Sequence, residues 1–158
     1  MSVTEPATTD VVLAGCPIDL LERSRRHNES LMREFAFIAE SDQERAELPA
    51  QLLALVDRAR ARLVGLNVAV EEQLAAARAR GDDACDLRVT LPSNGRALAV
   101  ELADLFEAAE EFCRRGDLLT LAESDEPIRF RAWYLEQYVR QLDGEAPTAW
   151  PAWRATRV

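Results

Sequence analysis

The chain contains no lysine; all 19 of its basic side chains are arginine. Without a side-chain amine it can form no Schiff base and has no lysine for a P-loop. Pyridoxal enzymes, class I aldolases and P-loop NTPases are excluded. There is one histidine, His27, so no multi-histidine metal site can be built. A carboxylate-bridged di-iron bundle needs Glu-x-x-His on two helices; here Ser24 stands three residues before the single histidine. The three cysteines, Cys16, Cys85 and Cys113, are odd in number and far apart. Zinc sites use close pairs and disulfide frameworks are denser, so free buried thiols are expected. No apolar run approaches the roughly 20 residues of a membrane helix. Glu5 and Asp10 lie where a secretory leader would be positive and then apolar. The expected location is the cytoplasm, with no membrane contact.

What is present points to an ordinary globular domain. The 158 residues are 48% apolar and 30% charged, enough to bury a core. A net charge of -9 argues against nucleic acid and against an anionic membrane surface. The all-arginine, alanine-rich usage has the character of a high-GC bacterial coding bias.

Proline and glycine mark the element boundaries. Pro17, Pro49, Pro92 and Pro127 stand at or just before four amphipathic stretches, where a missing N–H costs least. Gly81, Gly116 and Gly144 follow the ends of three of them, as left-handed caps do. The spacing predicts helices over Ile18–Glu40, Leu48–Arg80, Asn94–Arg115 and Asp125–Asp143, the last capped by Ser124 or Asp125. The second carries Leu52, Val56, Ala59, Leu63, Leu66, Val70 and Leu74 as one stripe, with a bend or break near Gly65. Asp86–Leu91 alternates strictly and reads as a half-buried strand; Val11–Ala14 can pair with it and Leu118–Leu121 can add a third piece. The expected fold is mainly α, an antiparallel four-helix bundle with a two- or three-stranded accessory sheet. Residues 1–9 and 146–158 read as tails on a single helical domain spanning 10–145.

His27 lies on the apolar face of the first helix. It is either a general base or ligand site, or a core histidine satisfied by a partner on another helix; the second is expected. Asp19, Ser24 and His27 share one helix, which denies a catalytic triad its converging geometry. Glu71–Glu72 and Glu110–Glu111 are adjacent, and neighbouring helical side chains point about 100° apart. They therefore do not form a facing acid/base pair. Arg115-Gly116-Asp117 spells an integrin tripeptide but reads as a helix end and turn. No cofactor or catalytic residue is expected. The densest aromatic segment is Phe130, Trp133, Tyr134 and Tyr138, interleaved with Arg129, Arg131 and Arg140. Phe130, Tyr134 and Tyr138 form one stripe, with Trp133 and Arg129 off it. Aromatic-plus-arginine surfaces are common interface anchors. A partner surface is therefore expected at Trp133, Arg129 and Arg140 with Trp150 and Trp153 of the tail; the alternative is that Trp133 is core and the tail tryptophans dock onto the bundle itself. A possible pocket is expected at His27, Arg131 and Tyr134.

Leu31-Met32-Arg33-Glu34-Phe35-Ala36-Phe37-Ile38-Ala39, preceded by Arg26-His27 and Glu29, resembles a segment of small helical actinobacterial proteins. Glu110-Glu111-Phe112-Cys113 with Gly116-Asp117-Leu118-Leu119-Thr120-Leu121 resembles their middle. Phe130-Arg131-Ala132-Trp133-Tyr134-Leu135, Val139-Arg140-Gln141 and the Pro-Trp tail resemble their C-terminal part. Such proteins look like companions of the anti-sigma kinases and STAS proteins of bacterial partner switching. The resemblance implies that neighbourhood and no mechanism; the expected function within it is a non-enzymatic regulator that binds a sigma-pathway protein, with homodimerisation as a second option for the tryptophan surface. The competing expectation is a small-molecule-sensing bundle with a pocket between helices, where His27 and buried arginines hold a small acid.

Overall fold

The computed structural model describes residues 7–62, 66–112, 114–115 and 125–156; the side chains at 62, 66 and 67 are not part of the description. Strand β1 (Thr8–Pro17) leads directly into α1 (Ile18–Ser41). Helices α2 (Glu47–Arg62) and α3 (Leu66–Ala79) follow, then β2 (Ala84–Pro92), a short turn, α4 (Arg96–Phe112), α5 (Asp125–Leu142) and α6 (Trp150–Thr156). The chain is mainly helical, with one antiparallel two-stranded sheet among the described residues. No described helix is long and apolar enough to cross a membrane.

The boundary signals act as their chemistry requires. Pro17 stands at the N-cap of α1. Gly81 and Gly144 have φ of 76° and 89°, which lets the chain reverse after α3 and α5. Each reversal closes the final carbonyls by the six-to-one pattern, Asp82 N–H to Ala77 O at 3.0 Å and Glu145 N–H to Arg140 O at 2.9 Å. Gly116, Cys113, Ser124 and the Leu118–Leu121 segment lie outside the described residues, as does Gly65.

The spacing from Leu52 to Leu74 predicts one stripe, but its residues serve three core clusters. On α2, Leu52 joins Leu31, Phe35 and Phe106, while Leu55 and Ala59 meet Leu98 of α4. On α3, Val70, Leu74 and Ala77 pack with Val11, Leu13, Leu87 and Val89 of the sheet. The apolar period runs on at helical spacing while the partner changes, and period alone carries no information about partners. Helix α1 packs on α2 and α5, and α4 packs on α2 and α5 as well.

Both outer edges of the sheet are closed by a glutamine. Val12 and Arg88 are cross-strand partners. The Gln141 amide of α5 accepts from Val12 N–H and donates to Val12 O, both at 2.8 Å. On the opposite edge the Gln73 amide of α3 accepts from Arg88 N–H at 2.8 Å and donates to Arg88 O at 2.7 Å. Each amide stands in for a neighbouring strand, and an unpaired edge is otherwise a template for aggregation.

The C-terminal segment corrects the expectation of a loose tail. Trp150 and Trp153 are each only 5% exposed and share a core cluster with Phe130, Trp133 and the sheet. The segment is also held through its polar atoms. Trp133 Nε1 donates to Thr148 O at 2.9 Å, Thr148 N–H donates to Gln137 Oε1 at 2.9 Å, and Trp153 Nε1 donates to Glu136 Oε2 at 2.6 Å. At the other end, Thr8 and Thr9 already belong to β1.

Candidate functional site

The surface expected at Trp133, Trp150 and Trp153 is taken up inside the chain. Trp133 is fully buried, with ring centroids 5.5 Å from Phe130 and 5.7 Å from Trp150. Trp150 in turn stacks on Trp153 at 5.7 Å. Rings at these separations are favourable edge-to-face or offset pairs, and burying them is worth a few kcal/mol each. The correction has a geometric reason. Trp133 follows Phe130 by three positions, so both fall on one side of α5, and α6 brings two further indoles onto it. Of the remaining expected contact residues, Arg129 is exposed. Arg140 is half-exposed and engaged by Glu145 at 2.7 Å.

The expected pocket residues do come together, as a buried polar cluster between α1, α4 and α5. His27 of α1 points inward with Leu31 and Phe35, and its Nε2 lies 2.8 Å from Glu110 Oε1 of α4. The same oxygen accepts from Arg131 Nη2 of α5 at 3.0 Å. Arg131 Nη1 donates to Asn28 Oδ1 at 2.8 Å, and its guanidinium lies 4.3 Å from the centre of the Phe106 ring. An ionised carboxylate only accepts, so the Nε2 proton of His27 is the donor. His27 Nδ1 and Ser24 Oγ, one turn apart on α1, have no hydrogen-bond partner among the described residues.

The electrostatics favour a fixed ion cluster. Burial pushes the Glu110 carboxyl up, but the His27 hydrogen bond and the charge and hydrogen bond of Arg131 outweigh it, and the group is held below its ordinary value. Burial raises the Tyr134 phenol, with Arg131 and Asn28 opposing. His27 is thus satisfied at Nε2 by another helix, as expected of a core histidine. Glu110 is the residue that sequence reasoning passed over as one of two adjacent carboxylates. Its signal was positional: it falls four residues after Phe106, on the apolar face of α4.

Two cavities flank the cluster and share Phe106. One of about 470 Å³ lies among α1, α2, α3, α4 and α5. Its wall is apolar through Met32, Val56, Leu102 and Phe106, with Asn28, Glu29, Arg60 and Tyr134 as polar groups. Arg25 and Glu71, which pair with each other, also line it. The second, about 340 Å³, is a largely apolar groove between α4 and α5 that reaches Arg131 and Glu110. His27 lines neither. The pocket that sequence reasoning centred on His27 is therefore displaced: Tyr134 opens on the larger cavity, Arg131 on the smaller, and His27 stands behind both.

The class defined so far is a mainly helical domain with a small sheet, a buried His–Glu–Arg cluster and a half-apolar inter-helix cavity. Compared with protein-family models, with curated proteins and with solved structures, the chain matches none of them.

Proposed function

We propose that this protein is a non-enzymatic regulator that senses a small organic acid in the larger cavity. In this reading α1, α2, α4 and α5 act as a four-helix bundle, and the ligand enters between them. The observation that carries the proposal is the cavity itself. At about 470 Å³ it falls within the 300–1,000 Å³ range typical of small-molecule sites, and it combines an apolar wall with a few polar groups. Phe106, Leu102, Val56 and Met32 would take a branched or aromatic body. Arg60 and the Tyr134 hydroxyl would take a carboxylate. Arg131 is not available for that task, because Glu110 and Asn28 already engage it. The best acid–base group, His27, faces Glu110 rather than a cavity, which supports binding over chemistry.

The test is isothermal titration with phenylacetate and hexanoate, using phenylethanol and hexanol as uncharged comparators. The reading expects saturable binding of an acid, weaker binding of its alcohol, and loss of both in Val56→Trp, where an indole fills the cavity. No saturable binding up to millimolar concentration, or equal binding by Val56→Trp with the fold intact, overturns it.

A second reading has its own observation. Phe37 is 71% exposed on α1, within the segment resembling the actinobacterial partner-switching companions. A large apolar side chain in water is a candidate anchor for a protein partner. The partner would be a sigma-pathway kinase or STAS protein, or a second copy of this chain, and the cellular location the cytoplasm. Only the segment resemblance supports that pathway. Sedimentation with purified proteins of those two classes tests it: a complex that Phe37→Ser abolishes supports the reading, and no complex refutes it.

A further inference from the structure

We propose that Cys16 and Cys85 are a redox modification site, closing to a reversible cross-strand disulfide at the α1 end of the sheet. The argument begins with the register of β1 on β2. Leu13 faces Leu87, and continuing that register would set Cys16 opposite Ala84. The ladder instead slips by one residue between Leu13 and Cys16, and Cys16 comes to face Cys85.

The slip is built into the strand. Gly15 has φ of 61°, the left-handed conformation of a glycine bulge, and its N–H donates to Asp86 Oδ1 at 2.8 Å. A bulge of this kind re-aims a side chain, and here it aligns two thiols.

Directly opposed residues of an antiparallel pair lie on one face, with Cβ atoms about 4.5–5.5 Å apart. A disulfide spans Cα separations of about 4.4–6.8 Å and Cβ separations of about 3.5–4.5 Å. Closure therefore requires an approach of roughly 1 Å. Both thiols are free, and Cys85 packs against the same apolar cluster that contains Cys16. Exposure assigns the order of events. Cys16 is fully buried, whereas Cys85 is half-buried and accessible to an oxidant in solution.

With a low-molecular-weight disulfide as oxidant, the Cys85 sulfur attacks one of its sulfurs and expels the other as a thiol, which takes the Cys85 proton. Cys16 then attacks Cys85 Sγ, breaks that mixed disulfide and releases the second small thiol, which takes the Cys16 proton. Two protein thiols are oxidised and one small disulfide is reduced to two thiols. Burial pushes the Cys16 thiol up to about 12 and raises that of Cys85, with Arg80 opposing at Cys85. Both steps are consequently slow at neutral pH, because the thiolate is the reactive form. The bond ties the end of β1 to the start of β2, next to the point where Ile18 N–H already donates to Asp83 O at 3.0 Å.

The test uses the full chain incubated with glutathione disulfide under native conditions, with circular dichroism confirming that the fold persists. Trypsin places Cys16, Cys85 and Cys113 on three separate peptides, because it cleaves after Arg23, Arg80, Arg88, Arg96 and Arg114. The expected product is a monomer lighter by two hydrogens, with the Cys16 and Cys85 peptides linked, reversed by reduced glutathione. Its melting temperature exceeds that of the reduced chain. Cys85→Ser leaves Cys16 unmodified over the same period. A lasting glutathione adduct on Cys85 with Cys16 still free overturns the proposal. So do a link through Cys113, dimers joined through Cys85, or closure only in urea.

Discussion

Changing Glu110 to glutamine preserves shape and removes one charge from the centre of the buried cluster. In the native chain Glu110 and Arg131 are each at least 96% buried by side-chain exposure of 4%, with Oε1 and Nη2 3.0 Å apart. At an effective dielectric of about 20, two unit charges at that separation attract by about 5–6 kcal/mol. Removing both from water costs several kcal/mol per ion, so the pair itself contributes little net stability. The single substitution behaves differently. Arg131 remains buried and charged, with only neutral groups as partners: the new amide oxygen, Asn28 and the Phe106 face. Leaving a buried ion uncompensated costs about 3–5 kcal/mol. The assay is urea unfolding of wild type, Glu110→Gln and the double variant Glu110→Gln/Arg131→Met, followed by circular dichroism. The single variant should lose about 3–5 kcal/mol, and the double variant should recover at least half of that loss. A loss below about 1 kcal/mol in the single variant refutes the account of a desolvated ion cluster.

Three further outcomes follow. Because Glu110 is held below its ordinary value, its stabilisation is fully present above about pH 4.5 and is lost as pH falls through the lower folded value. Urea unfolding between pH 6 and 3 should show a wild-type slope that is reduced in Glu110→Gln; equal slopes contradict the assignment. Gln141→Ala strips both edge hydrogen bonds from Val12 and should cost about 1–3 kcal/mol in the same assay, whereas Gln141→Glu restores only the acceptor. A chain ending at Gly144 lacks Trp150 and Trp153, and its melting temperature should fall by more than 10 °C (roughly 2–4 °C per kcal/mol for a chain of this size) with no change in the association state of whatever remains folded.

The elements were legible because their signals are local. The prolines, the glycine caps at Gly81 and Gly144, and the strict alternation of Leu87, Val89 and Leu91 depend only on neighbouring residues. The described helices α1, α4 and α5 begin and end within a few residues of the expected bounds, and the sheet pairs as expected. What could not be read was partnership across long sequence separations. The apolar spacing of Leu52 to Leu74 is uniform, yet α2 faces the helices and α3 faces the sheet. Tryptophans in a short proline-bearing tail look the same whether they dock on their own chain or on another. Here the Gln137, Glu136 and Thr148 bonds hold them within the chain. At the candidate site, His27 carried a signal as the lone histidine on an apolar stripe. Glu110 is 83 residues away, and only the packing of α1 and α4 on the shared neighbours α2 and α5 brings the two together.

The central claim is that the cavity bounded by Phe106 and Tyr134 holds a small acid. Backbone and side-chain amide shifts of the isotopically labelled chain, followed by NMR during titration with phenylacetate, test it most directly. The account predicts saturable shifts centred on Asn28, Met32, Val56, Leu102 and Phe106, with the Asn28 side-chain amide among the largest. Shifts that fail to saturate, or that fall on the α6 and sheet side of the molecule while these residues stay still, would contradict it.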